Sequence, residues 1–231
     1  MLVKLGQAWR RANRLISRRW LETQIRPTPR ALQLYGQGHA AWWVPADIAP
    51  GSIAYCGGVG LDATFDFALA EEKRLEVHSF DPTPRAIAYI EQENHGRVHF
   101  HPWGLLDRNA VMRFHAPADP RHVNFFIENL HNTSDYFEAE CLTIATIMQR
   151  LGHDRIDLLK IDIEGSWLPV LSRMLDDGIH PATLCVEFDS PAPLTRVRPI
   201  VKRLQRAGYT LVRRDKENCV FLHDAAKGHS A

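Results

Sequence analysis

Ile156, Leu158, Leu159, Ile161 and Ile163 form a nearly continuous apolar run that ends, within four residues, in Asp162, Glu164 and Gly165. A run of that kind reads as a strand buried on both faces, which requires a sheet covered by helices on both sides. Two acids at its end have no use in such a core. In open α/β sheets, ligands bind in the crevice beyond the carboxyl ends of the strands. Asp162 and Glu164 are therefore candidates for chemistry.

The rest of the chain agrees with that architecture. Strand patterns at Ser52–Gly57, Leu75–Phe80, Val98–Pro102, Ile156–Ile163 and Thr183–Phe188 alternate with helical patterns at Thr64–Glu72, Pro84–Glu93, Thr146–Leu151, Leu168–Asp176 and Leu194–Ala207. Such alternation implies βαβ units and a parallel sheet. Val111–Ala116 and Glu140–Ile144 add strand-like segments around an irregular stretch, 116–138. Tyr209–Arg213 and Cys219–Leu222 close as a hairpin, which predicts one antiparallel edge strand. At 231 residues, 45% hydrophobic and 24% charged, the chain has the composition of an ordinary globular domain able to bury roughly 70–75% of its unfolded surface. The expected division is a basic helix and linker over residues 1–30 and one domain over 31–231.

Charge is unevenly placed. Residues 1–30 carry eight bases against Glu22 alone, although the whole chain has a net charge of only +1. The body is thus mildly acidic and offers no basic stripe for nucleic acid. Over residues 2–22, Leu2, Leu5, Trp9, Ala12 and Ile16 recur at helical spacing, with Lys4, Arg11, Arg14 and Arg18 on another face. This helix either packs on the domain through Leu5, Trp9 and Ile16, forms a dimer contact, or lies on an anionic membrane surface as a peripheral anchor. Its arginines interrupt any signal-peptide core, and no apolar run reaches the ~20 residues of a membrane span. Cys56, Cys141, Cys185 and Cys219 form no C-x-x-C pair and read as reduced, buried cysteines of a cytoplasmic protein.

Ile53–Gly57 runs through Gly58-Val59-Gly60 into a helix, and Asp81 ends the next strand about 20 residues on. Glycines permit a sharp turn and close approach of backbone to ligand, and an acid at that distance suits ribose hydroxyls. Gly58 to Ala63 also satisfies the loose G-x-G-x-x-A dinucleotide pattern. Asp62 either attracts the ammonium of a methionine moiety or caps the following helix; an acid there would repel a pyrophosphate.

Tyr55-Cys56-Gly57-Gly58-Val59-Gly60-Leu61-Asp62, Phe80-Asp81-Pro82-Thr83-Pro84 and Leu159-Lys160-Ile161-Asp162-Ile163-Glu164-Gly165 together resemble the FkbM-type S-adenosylmethionine-dependent methyltransferases. Trp43-Val44-Pro45, the Trp103-Gly104-Leu105 turn and Leu142-Thr143-Ile144 fit the same pattern, so the resemblance covers roughly residues 40–190. It implies a Rossmann-like class I methyltransferase fold: a seven-stranded, mostly parallel sheet with a reversed C-terminal strand, here with an N-terminal helical extension. Cofactor binding would fall to Gly58 and Gly60 at the methionine end, Asp81 with Pro82 at the ribose, and Trp103, Gly104 and Leu105 beside the adenine. Tyr55 or Trp103 would face the sulfonium. Two departures stand out: Ser166-Trp167 replaces an acid after Glu-Gly, and Cys56 stands where the family often has an acid or serine.

The implied reaction is O-methylation of a sugar, glycan or secondary-metabolite hydroxyl, with Asp162 orienting or deprotonating it and Glu164 assisting. His131, in the irregular segment beside Asn132, is a further catalytic candidate. His99 and His101 read as structural residues of one strand. Mg²⁺ on Asp162, Glu164 and Glu187 ranks behind a metal-free site. The rival readings are a nicotinamide-dependent oxidoreductase, which lacks a hydride-transfer constellation here, and a non-catalytic cofactor-binding module.

Overall fold

A computed structural model describes residues 2–115, 136–163, 165–189 and 192–224, with the side chains of the first helix described from Asn13. Seven strands form the central sheet: β3 (Ile53–Gly57), β4 (Glu76–Phe80), β5 (His99–His101), β9 (Leu158–Ile161), β10 (Thr183–Glu187), β11 (Tyr209–Asp215) and β12 (Asn218–His223). Their spatial order is β11-β12-β10-β9-β3-β4-β5. Strands β5, β4, β3, β9 and β10 run parallel, and β12 is antiparallel to both β10 and β11. The reversed strand is therefore interior, which corrects the expectation of an antiparallel edge. Cys219 to Leu222 are all buried, as a strand with neighbours on both sides requires. The edge falls to β11, whose last residues carry Arg213, Arg214 and Asp215.

Side chains alternate between the two sheet faces, and each face has its own core. Tyr55, Phe80, Leu159, Ile161, Leu184 and Val186 meet α4 (Ile144–Leu151), α5 (Trp167–Asp176) and α6 (Leu194–Arg206). Ala54, Cys56, Val77, Leu158 and Cys185 meet α2 (Thr64–Lys73) and α3 (Pro84–Glu93) on the other. A small antiparallel pair, β1 (Leu32–Tyr35) and β2 (Trp42–Pro45), adds Trp42 and Val44 to this second core. Trp42–Pro45 is thus a short strand in which only Trp43 is partly exposed.

The side sheet is β6 (Gly104–Leu105), β8 (Tyr136–Leu142) and β7 (Ala110–His115), in that order. Residues 136–138, expected to be irregular, belong to β8, where they pair with Arg113, Phe114 and His115. Gly104 and Leu105, expected in a turn, pair with Cys141 and Leu142. The four cysteines are free and buried.

The N-terminal helix α1 (Leu2–Gln24) lies against α6 and β11. Leu21 enters the core, Ser17 Oγ donates to Ala192 O at 2.8 Å, and Arg14 and Arg18 pair with Glu217. Residues 14, 17, 18 and 21 form one helical stripe, so part of the basic face docks on the domain. Ile16, expected to pack inward, is 51% exposed beside Leu15 as a result. No described helix is long and apolar enough to cross a membrane.

Candidate functional site

β3 is central, with β4 and β5 on one side and β9 and β10 on the other. The chain reverses its direction of growth between β3 and β9, so the crevice at their carboxyl ends is the topological switch point. Gly58 and Asp162 meet there. Gly58 has φ +86°, donates its amide to Phe80 O at 2.9 Å, and lies so near Asp162 that an added Cβ would overlap the Asp162 carbonyl oxygen. Asp162 N donates to Gly57 O at 3.0 Å. Gly60 has φ +58°, and a Cβ there would meet nothing within 4 Å. One glycine is required by close approach and the other by a left-handed turn beside open space.

Asp81 follows β4 and turns its carboxylate onto this loop. Val59 and Gly60 donate their amides to Oδ2 at 3.0 and 2.9 Å, while Thr83 donates its amide and hydroxyl to Oδ1 at 2.9 and 2.6 Å. These four bonds occupy the approximately four acceptor positions of a carboxylate. Asp81 thus holds the Gly loop in shape. Asp62 is exposed; its Oδ1 accepts from the Thr64 amide at 2.9 Å and hydroxyl at 2.7 Å. That is the helix-start role, one residue ahead of the capping position.

The 103–105 segment borders the same loop. A Cβ on Gly57 would collide with the Leu105 side chain, and one on Gly104 would lie 2.6 Å from Cys141 Sγ and 3.5 Å from Pro82. Leu105, Gly104, Pro82 and the Gly loop are therefore one contiguous wall. Trp103 stacks on His101 at 4.7 Å, with the Arg150 guanidinium 5.3 Å from its ring centre. Tyr55 does not reach the crevice. It is fully buried, packs edge-on against Phe80 and His78, and its hydroxyl bonds His153 Nδ1 at 2.7 Å. The expectation that its ring faces a sulfonium is corrected. It lies two residues before the strand end, where the pleat points it into the helix-covered core.

Lys160 is the residue that sequence reading passed over. Its side chain is 5% exposed, and Nζ donates to Gly58 O at 2.6 Å and lies 3.3 Å from Asp162 Oδ2. Burial alone would pull its pKa down, but Asp162 and Asp66 outweigh that and hold it raised. Asp66, on α2 and buried, accepts from Ser79 Oγ at 2.6 Å; burial pushes it up, opposed by Lys160 and that hydroxyl. An acid therefore does stand beside Cys56, supplied from a helix. Lysine within an otherwise apolar strand was the available signal.

Asp162 keeps 30% of its side chain exposed. Burial works to raise its pKa, but Lys160 and a hydrogen bond with Glu187 hold it below its ordinary value. Gly165 N donates to Asp189 Oδ2 at 2.8 Å, which ties down the turn after the acids. Trp167 is buried edge-on against Phe188 at 5.0 Å, so this departure from the family pattern serves packing. Glu164 and His131 lie outside the described residues.

A family model described as the methyltransferase FkbM domain matches residues 58–211. No curated protein matches the sequence. Among solved structures, the chain is similar to a TehB-like SAM-dependent methyltransferase from Corynebacterium glutamicum, at 13% identity and a TM-score of 0.41, over 78% of this chain and 84% of that one. It is also similar to the Methanococcus jannaschii fibrillarin pre-rRNA processing protein, at 10% identity and a TM-score of 0.45, over 84% and 71%. M. jannaschii TYW2 in complex with AdoMet gives 12% identity and a TM-score of 0.35 over 86% and 90%.

Proposed function

The chain belongs to the FkbM methyltransferase family, and from that premise we propose that it transfers a methyl group from S-adenosylmethionine to a hydroxyl of a sugar, glycan or secondary metabolite. The observation that carries this reading is Asp162, an ionised, partly exposed carboxylate at the switch point, held against Gly58 and neutralised from behind by Lys160. Family membership favours methyl transfer over hydride transfer.

The donor supplies an electrophilic methyl on a sulfonium. The residues around the crevice suit such a molecule. The open face at Gly60 leaves room beside the loop, and the wall of Pro82, Gly104 and Leu105 adjoins it. Asp81 would bind ribose hydroxyls by exchanging some of its present bonds to Thr83 or the loop.

Asp162 accepts the acceptor hydroxyl's hydrogen bond and aligns its oxygen for in-line attack. Such positioning can supply ~7–11 kcal/mol of the barrier. A carboxylate with a lowered pKa is a poor base toward a neutral alcohol. As the new C–O bond forms and the methyl–sulfur bond breaks, leaving a neutral thioether, the hydroxyl proton becomes strongly acidic, and Asp162 then takes it. Lys160 keeps Asp162 ionised until that moment.

The test is transfer of labelled methyl from S-adenosylmethionine to a panel of sugar and metabolite hydroxyls. Transfer to an amine or carboxylate instead would overturn the acceptor class. Tight adenosylhomocysteine binding with no transfer to any acceptor would favour a non-catalytic binding module.

A further inference from the structure

A second cluster of chemically able side chains lies at the opposite end of β4 from Asp81. Glu76 opens the strand and Asp81 follows it, which separates them by about 16 Å at strand rise. We propose that Glu76, His78 and His153 form a binding site for one divalent transition-metal ion of the zinc class, distinct from the methyl-transfer crevice.

The fold brings the three together by two routes. Glu76 and His78 are two apart on one strand and so share a face. His153 arrives from the turn after α4. Gly152 adopts a left-handed conformation there, and His153 N bonds back to Met148 O at 2.9 Å, which fixes the residue's position. Among the described residues this is the group whose ligand atoms converge, all within 4.8 Å of one another. His78 Nε2 lies 3.1 Å and His153 Nε2 3.5 Å from Glu76 Oε1. Bonds of about 2.0–2.1 Å at the tetrahedral angle place neighbouring ligand atoms roughly 3.3–3.4 Å apart. Two edges of the site are already set at that spacing.

The second ring nitrogens support the same reading. His78 Nδ1 lies 3.0 Å from His101 Nε2, and His153 Nδ1 2.7 Å from the buried Tyr55 hydroxyl. A metal-bound imidazole ordinarily donates its other N–H to a fixed acceptor. With protons on both Nδ1 atoms, His101 and Tyr55 are those acceptors, and both Nε2 lone pairs turn toward Glu76. The two Nε2 atoms and the Glu76 carboxylate, within 4.8 Å of one another, are then three donors that one cation would bridge. Two imidazoles with one carboxylate suit zinc-class ions rather than Mg²⁺ or Ca²⁺, which prefer all-oxygen sets. Glu76 is 46% exposed on its side chain, against 6% for His78 and 11% for His153. That leaves access for the ion and room for a water as fourth ligand. The bound ion would pin the α4–β9 turn to the start of β4.

The test uses the full chain, stripped by chelation and titrated calorimetrically with Zn²⁺, with Co²⁺ as a spectroscopic probe. One Zn²⁺ per chain, a higher melting temperature, and the intense visible absorption of four-coordinate Co²⁺ are expected, with no response to Mg²⁺. Glu76→Gln and His153→Gln should each weaken Zn²⁺ binding at least tenfold, and Tyr55→Phe about 10- to 100-fold as an outer-shell loss. Circular dichroism checks that each variant is folded. Absence of saturable Zn²⁺ binding to the wild-type chain would overturn the proposal and leave a hydrogen-bonded Tyr55–His153–Glu76 relay. Unchanged affinity in folded Glu76→Gln would overturn it equally, by placing the ion elsewhere.

Discussion

Lys160 Nζ lies 3.3 Å from Asp162 Oδ2 and 2.6 Å from Gly58 O, so one buried ammonium ties the acid strand to the glycine loop. Asp66 and Ser79 complete the network on the α2 side, and Glu187 completes it on β10. The candidate active site is thus held from beneath by residues that a ligand in the crevice need not touch.

Lys160→Met should destabilise the fold by about 3–5 kcal/mol, the cost of removing one partner from a buried charge network. Chemical denaturation measures it. Adding Asp66→Asn to the same background should recover part of the loss, because the acid left without its cation is gone. Strict additivity of the two changes would show that Asp66 and Lys160 do not interact.

Asp162→Asn should lower turnover by about 10²–10⁴, the range for removing a positioned acid or base. Adenosylhomocysteine affinity should change little if Asp162 serves the acceptor rather than the donor. Single-turnover kinetics together with calorimetry separate the two. Full turnover in a folded variant would remove Asp162 from the chemistry.

Much of this was legible in the sequence, and what was not had a physical reason. The strand–turn–helix units showed because their period is local. The place of β12 did not, because pairing order depends on partners distant in the chain. Trp42–Pro45 was too short a run, ending in proline, to declare itself a strand. Asp162 stood out as an acid ending an apolar run. Lys160 was marked only by its place within an apolar strand, and its partner Asp66 lies on another element, so the pairing itself could not be read locally. Asp81 stood out as an acid ending a strand, but its bonds to the loop amides arise only from the fold.

Gly58→Ala and Gly60→Ala should differ sharply, although both glycines have positive φ. At Gly60 the space is open, so alanine costs only the ~1–2 kcal/mol of a left-handed residue. At Gly58 the new methyl overlaps the Asp162 carbonyl, so the loop or β9 must shift. Thermal melts should show a modest fall for Gly60→Ala and a larger one for Gly58→Ala, with donor binding lost in the latter. Equal falls would mean that Gly58 and Asp162 are not in contact in solution.

The acid limb of the stability curve should carry the mark of Asp162. Its folded pKa lies below its unfolded value, so its contribution is present above the usual carboxylate range near ~3.9 and disappears as pH falls through the folded value. Lys160, raised by its acids, acts at the other end: its contribution is complete below ~10.4 and is lost as pH rises through its folded value. Asp162→Asn should therefore flatten the acid limb while leaving part of the alkaline one, since Asp66 still faces Lys160. Denaturant midpoints against pH for both proteins decide it, and an unchanged acid limb would contradict the Lys160–Asp162 pairing.

Asp81→Asn tests a role that differs from ribose binding. Its carboxylate accepts two amides from the Gly loop, and bonds to a charged acceptor are worth about 1.5–3 kcal/mol each. An asparagine keeps one oxygen but turns an NH₂ toward donors at the other position. The loop should therefore loosen without any ligand present, lowering the melting temperature of the unliganded protein and speeding amide exchange at Val59 and Gly60. A residue that served the ribose alone would weaken donor binding and leave both of those readouts unchanged.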